Sequence, residues 1–129
     1  MGISFDRAFG LQESAVNTRI RRAEILASNL ANADTPGFKA RDLDFQAVLN
    51  GVAESSLPVA RTHPAHLQTT VSAEPGLRYR NPTQPSIDGN TVDTQAELVE
   101  FSRNALEYQA SFRFLNDSMT GLSKAIKGE

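Results

Sequence analysis

The sequence predicts a mainly α fold, with long N- and C-terminal helices that pair as a coiled coil and an irregular segment between them that holds at most a short β-hairpin. Apolar stripes at helical spacing mark the two ends, and five of the six prolines fall between them. The 129 residues are one domain's worth of chain.

The first element is a helix within residues 1–33. Apolar residues recur at Phe9, Val16, Ile20, Ala23, Ala27 and Leu30, in alternating steps of four and three once past Val16. Glu13 interrupts this stripe, and the alanines keep its far end thin, so a neighbouring helix can approach closely. Arg19, Arg21 and Arg22, with Glu24 nearby, fall on the opposite face. That basic cluster is either a solvated face or a contact for an acidic partner surface.

Residues 34–45 form a corner and an extended stretch. Pro36 and Gly37 suit the two central positions of a type II turn from Thr35 to Phe38, because proline presets its φ and glycine takes a positive φ without strain. Asn29 and Asn32 can satisfy the last helix carbonyls or reach across to a neighbour. Phe38 can fold back as an apolar plug or insert into a second subunit.

Residues 46–92 read as a connecting segment. Pro58, Pro64, Pro75, Pro82 and Pro85, with Ser, Thr, Gln and Gly among them, forbid a long helix. The stretches LQTTV (67–71) and LRYR (77–80) flank SAEPG and can pair as a hairpin. A span this long without firm structure implies a functional loop or a segment that orders on binding.

The last element, residues 93–129, is the most regular. Leu98, Phe101, Ala105, Tyr108, Phe112, Leu115, Met119, Leu122 and Ile126 step by three and four without a miss, the a/d pattern of a coiled coil. Thr94 and Glu97 make a capping box, and Asp93 adds negative charge at the positive end of the helix dipole. Lys124 and Lys127 stand in the last turns, the sign the other end favours. Burial of one stripe does not offset the backbone entropy of fixing so long a helix, so the two helices need each other. A thin pair of this kind keeps surface to bury against other subunits.

Composition excludes several classes. A formal charge of −2 gives no sign of a nucleic-acid partner, and no run of about 18 apolar residues exists for a membrane span, so direct insertion is not expected. Asp6, Glu13 and Glu24 break up the apolar core that a cleaved secretory signal requires. Zero cysteines remove disulfides, thiolate metal sites and cysteine nucleophiles. His63 and His66 are three apart without an acidic residue close by, a spacing that chelates a metal only on a helical or suitably turned backbone; two exposed loop histidines are the plainer reading. DGNTVD (88–93) has glycine and valine where a calcium loop needs oxygen ligands, so it reads as a turn feeding the helix cap. No catalytic constellation can be assembled from spacing, and no enzyme or cofactor is expected.

ILASNLANADTPGFKARDLDF (25–45) resembles the signature of the flagellar axial proteins, the rod and hook family. Asn29, Asn32, Thr35, Pro36, Gly37 and Phe38 match it, and QPSIDGNTVD (84–93) with NALEYQ (104–109) narrows the resemblance to proximal-rod members. The resemblance covers roughly residues 1–45 and 79–129. It implies a structural subunit of the basal-body rod, with the terminal helices together as one axial domain that self-associates in a helical array and transmits torque. It implies as partners other proximal-rod subunits, the rod-to-ring adaptor protein, the membrane ring and the flagellar export gate. It also implies synthesis in the cytoplasm and export to the periplasm-spanning rod by a type III route without a cleaved signal. Phe5 and Phe9, four apart on one helix face, resemble the short apolar export-recognition element of such subunits, and core packing is the competing reading. A cytoplasmic helical adaptor or chaperone using the C-terminal stripe is the alternative from another class.

Overall fold

The computed structural model describes residues 5–55, 76–82 and 86–128. Helix α1 (Phe5–Ala31) leads through the Thr35–Phe38 turn into strand β1 (Arg41–Leu43), helix α2 (Phe45–Ser55), strand β2 (Leu77–Tyr79) and helix α3 (Thr94–Lys127). The two long helices pack against each other, and the small sheet and α2 lie against α1. The class is mainly α with a paired set of terminal helices, as the stripes predict.

The corner after α1 has the expected geometry. Phe38 N–H donates to Thr35 O at 3.3 Å and Gly37 takes φ 72°, the hydrogen bond and positive φ of a type II turn. Asp44 then starts α2: its carboxylate accepts from Ala47 N–H at 3.0 Å, and its carbonyl accepts from Val48 N–H. Residues 46–55 are therefore helical, inside the segment expected to be irregular. The first proline of that segment is Pro58, so nothing in 46–55 opposes a helix.

LRY forms a strand, as expected, and it pairs with β1, antiparallel, with Arg41 opposite Tyr79, Asp42 opposite Arg78 and Leu43 opposite Leu77. Bonds from Arg80 N–H to Ala40 O and from Asp44 N–H to Gly76 O extend the ladder at both ends. Gly76 is needed there. Its φ is 87°, and a Cβ would stand 2.7 Å from the Val48 side chain and 2.8 Å from Asp44 O. The LQTTV stretch, His63 and His66 lie outside the described residues.

At the start of α3 the cap is Asp93. Its extended backbone (φ −104°, ψ 105°) and its carboxylate, accepting from Gln95 and Ala96 N–H, are those of an N-cap residue. Thr94 is already helical, and Glu97 points elsewhere, so the expected capping box does not form. Asp93→Ala should therefore cost about 1 kcal/mol, whereas Thr94→Ala should stay within about 0.5 kcal/mol of wild type. Urea unfolding of the two variants checks the assignment, and a larger loss at Thr94 would restore the box.

Candidate assembly interface and the joint that supports it

The long helices run antiparallel, as three contacts along their length show. Arg19 meets Glu107, Arg22 meets Glu100 and Asn29 meets Glu97. The line of α3 that faces α1 is polar: Glu97 and Asn104 are each 1% exposed, and Ser111 continues the seven-residue spacing. Asn104 donates from its amide to Arg19 O at 2.9 Å. Opposite these groups α1 contributes Leu26, which is fully buried, and Asn29.

An ionic junction occupies one side of the pair. Arg22 grips Asp42 in a two-pronged contact, Nε to Oδ1 at 2.8 Å and Nη2 to Oδ2 at 2.9 Å, and Nη2 also reaches Glu100 at 2.8 Å. Arg80, just past β2, donates to Asp42 Oδ2 at 2.6 Å and to Glu97 Oε1 at 2.7 Å. Asn29 completes it: its amide donates to Arg41 O and Glu97 Oε2, and its oxygen accepts from Arg41 N–H. Four elements thus meet through charged and amide groups. Arg19 pairs with Glu107 Oε2 at 2.5 Å and places its guanidinium 3.6 Å from the centre of the Phe45 ring, which ties α2 to α1. The basic cluster of α1 is therefore no solvated face at Arg19 and Arg22. Their acidic partners come from this chain's own β1 and α3, which no local pattern in α1 encodes. Arg21 is exposed.

The charges of this junction shift accordingly. Burial pushes the Asp42 carboxyl upward, but the hydrogen bonds from Arg22 and Arg80 outweigh it and hold the group below the ordinary carboxylate value. Burial raises Glu97, helped by the nearby Asp42 and Glu100 and opposed by Asn29 and Arg80. Because Asp42 is depressed in the folded state, its stabilisation is complete above the unfolded value of about 3.9 and is lost as pH falls through the folded one. Glu97 acts in the opposite sense, with a contribution that fades as pH rises through its elevated folded value. Below about pH 4 the wild-type unfolding midpoint should fall more steeply than that of Asp42→Asn. Parallel curves for the two proteins would remove Asp42 as the acid-sensitive group.

A second joint locks the corner. Gly37 N–H donates to Asp88 O, Thr91 N–H to Phe38 O, Ala40 N–H to Thr91 Oγ1, and Lys39 Nζ to Gly89 O. Asn90, 6% exposed, aims its amide nitrogen at three carbonyls at the end of α1: Asn32 O at 3.0 Å, Ala33 O at 2.7 Å and Thr35 O at 2.9 Å. Asn32 back-bonds to Ser28 O, so the expected self-capping is real at Asn32, while Asn29 is used to hold β1. Phe38 is half-buried at this joint. The two sequence blocks 35–40 and 88–91 are thus each other's hydrogen-bonding partners.

The apolar stripes divide cleanly. On α3, Tyr108, Leu115 and Leu122 are half-buried, with Phe101 at the margin, whereas Leu98, Ala105, Phe112, Met119 and Ile126, a second line at seven-residue spacing, are all exposed. On α1, Val16 is buried and Ala23 and Leu30 half-buried, while Ile20 and Ala27 are exposed. Ile20, Ala23, Phe101, Ala105 and Tyr108 line an apolar cleft of about 230 Å³ between the helices, on the side away from the junction. Phe9 lines a further apolar cleft with Met119, Leu122 and Ile126. Phe5 opens α1, and its side chain lies outside the described atoms. The sequence reading missed Leu26, Asp42, Arg80, Asn90 and Asn104. Their only signal is isolated apolar or polar residues within the resembling blocks, and their partners lie far along the chain.

The helix pair covers its ionic side with its own two-stranded sheet and leaves an apolar line open, the features of a helical subunit with surface left to bury. No helix among the described residues is long and apolar enough to cross a membrane, and their acidic side chains form no metal-binding cluster. The sequence model of the family described as flagella basal body rod protein matches residues 11–39, from the second turn of α1 through the corner. Proteins named flagellar basal body rod protein FlgB are similar along nearly their whole length. The one from Aeromonas hydrophila is 53% identical and covers 100% of this chain and 99% of its own. That from Escherichia coli K12 is 40% identical (95% and 94% covered) and that from Cereibacter sphaeroides 43% (97% and 98%). The chain belongs to the FlgB family of flagellar basal body rod proteins. Its role is that of a structural rod protein.

Proposed function

We propose that the chain is a subunit of the proximal rod that assembles through the exposed apolar line of its terminal helices after type III export, and that it transmits torque as part of the drive shaft. The observation that carries this is the run Leu98, Ala105, Phe112, Met119 and Ile126, exposed at five successive heptad positions beside Ile20 and Ala27. Neighbouring proximal-rod subunits supply the missing burial, and the rod-to-ring adaptor, membrane ring and export gate are the remaining partners. The ionic side is already filled by the chain's own two-stranded sheet, so assembly uses the other side.

The paired substitution Leu98→Asp with Phe112→Asp tests this reading. Both side chains are more than half exposed, so the helical circular dichroism and unfolding midpoint should stay close to wild type. Rod assembly and swimming should be lost, because each carboxylate would have to be buried unpaired in the interface. Normal assembly of the folded variant would overturn the proposal. For export, Phe5→Ala with Phe9→Ala should lower secretion while leaving polymerisation in vitro intact, and the reverse pattern would make the pair a packing element.

A further inference from the structure

We propose that the outer edge of β2 is a docking edge for an extended segment of a different protein, one that carries an acidic residue opposite Arg78. The register fixes which backbone groups point outward. Bonds from Arg80 N–H to Ala40 O and from Asp44 N–H to Gly76 O, placed two residues to either side of the Asp42–Arg78 pair, make the even-numbered pairs the hydrogen-bonded ones. The N–H and C=O groups of Arg41 and Leu43 therefore face away from β2, and those of Leu77 and Tyr79 face away from β1. The two edges are finished differently. On the β1 side, Asn29 closes the edge as a neighbouring strand would: its amide accepts from Arg41 N–H at 3.1 Å and donates to Arg41 O at 2.7 Å, and Leu43 N–H is taken by Asp42 Oδ1 at 2.7 Å. On the β2 side, the outward groups of Leu77 and Tyr79 have no partner among the described residues, and Tyr79 is 73% exposed. Such an edge is a template for one more strand.

The side chains decide which strand fits. Of the charged groups on residues 39–44 and 76–80, Lys39 is turned to Gly89 O, and Asp42 and Arg80 are held in the ionic junction. Asp44 reaches Arg78 at 3.4 Å, a long contact that leaves the arginine side chain 70% exposed, and Arg41 is exposed with no ion pair among the described residues. Two exposed arginines are thus set against one carboxylate, and Arg78 stands at the centre of the open edge. The residue of an added strand directly across from Arg78 is a close, non-hydrogen-bonded neighbour, where opposite charge stabilises and like charge repels. That excludes a second copy of β2 as the occupant, because the antiparallel register that uses all four outward groups of each edge sets two Arg78 side chains against each other. The fitting strand has an acidic residue at its centre and β-branched residues on either side, beside Leu77 and Tyr79. Arg78 also guards the edge against unselective pairing.

Titration of the full-length chain with the end-blocked peptide Thr-Thr-Val-Glu-Val-Thr-Thr, followed by NMR, tests the edge. Millimolar peptide should shift the Leu77 and Tyr79 amide signals saturably and slow their exchange with solvent, and the same peptide with Lys in place of Glu should bind about threefold more weakly. Tyr79→Pro removes one outward N–H that the ladder to β1 does not use, so the variant should keep the wild-type urea midpoint and bind the Glu peptide about fivefold more weakly. Arg78→Glu should reverse the preference between the two peptides. If the Leu77 and Tyr79 amides are already slow to exchange in the chain alone, its own residues cover the edge and the proposal falls. Rapid exchange that neither peptide slows, or equal binding of the two peptides to the wild-type chain, would also overturn it.

Discussion

Asn90→Asp is expected to destabilise the fold by about 4 kcal/mol, although it exchanges only an amide nitrogen for an oxygen. The nitrogen faces three carbonyl oxygens within 3.0 Å, so it must be a donor, and a carboxylate there meets only acceptors. Three carbonyls at the end of α1 lose their partner, and a charge is buried among them. Asn90→Ala should cost less, about 2 kcal/mol, since it removes the donor without adding the repulsion. Urea denaturation at pH 7 measures both. Below about pH 4 the introduced carboxyl is protonated and can donate, so the aspartate variant should regain part of its loss. Equal losses for the two variants at every pH would mean that the amide is not what holds the corner.

Asp42→Ala carries the second large effect, about 3 kcal/mol. Among the described residues its carboxylate alone touches both Arg22 and Arg80, and the three side chains are between 13% and 25% exposed. Removal leaves two guanidinium groups close together, each still half-engaged by Glu100 or Glu97. Asp42→Asn should lose less, because one oxygen still accepts. The unfolding midpoint in urea, read with and without added salt, separates the terms: the alanine variant should gain from salt, which screens the arginine pair. If alanine is tolerated to within about 0.5 kcal/mol, the junction contributes little and the helix pair is held by Leu26 and its apolar neighbours.

These two sites show where the sequence stopped being legible. The period of 3.6 residues and the placement of prolines are local properties, and they determined the mainly helical class, the two terminal helices and the Thr-Pro-Gly-Phe corner. The glycine at position 37 announced a positive φ because few other residues accept one. The same reasoning failed at α2, where proline content was averaged over 46–92 and hid twelve proline-free residues at its start.

Pairing over long distances had no local signature. Asp42, Arg80 and Glu97 are strongly acidic or basic side chains in a surface-like composition, and their burial follows from which elements meet. The capping box failed for that reason: Glu97 is drawn inward by Arg80 and Asn29, and the cap falls to Asp93. The heptad stripe was read as one seam, but helices crossing as a pair can bury only one flank of it.

By itself, then, the sequence determined the helices, the corner and the family resemblance, since each depends on residues adjacent or one turn apart. Only the tertiary structure decided that α1 and α3 meet across a polar line, that the ionic side is closed by the chain's own two-stranded sheet, and that Leu98, Ala105, Phe112, Met119 and Ile126 remain exposed. The physical reason is that periodicity marks which residues share a helix face, whereas the partner of that face is chosen by contacts between segments 20 to 85 residues apart.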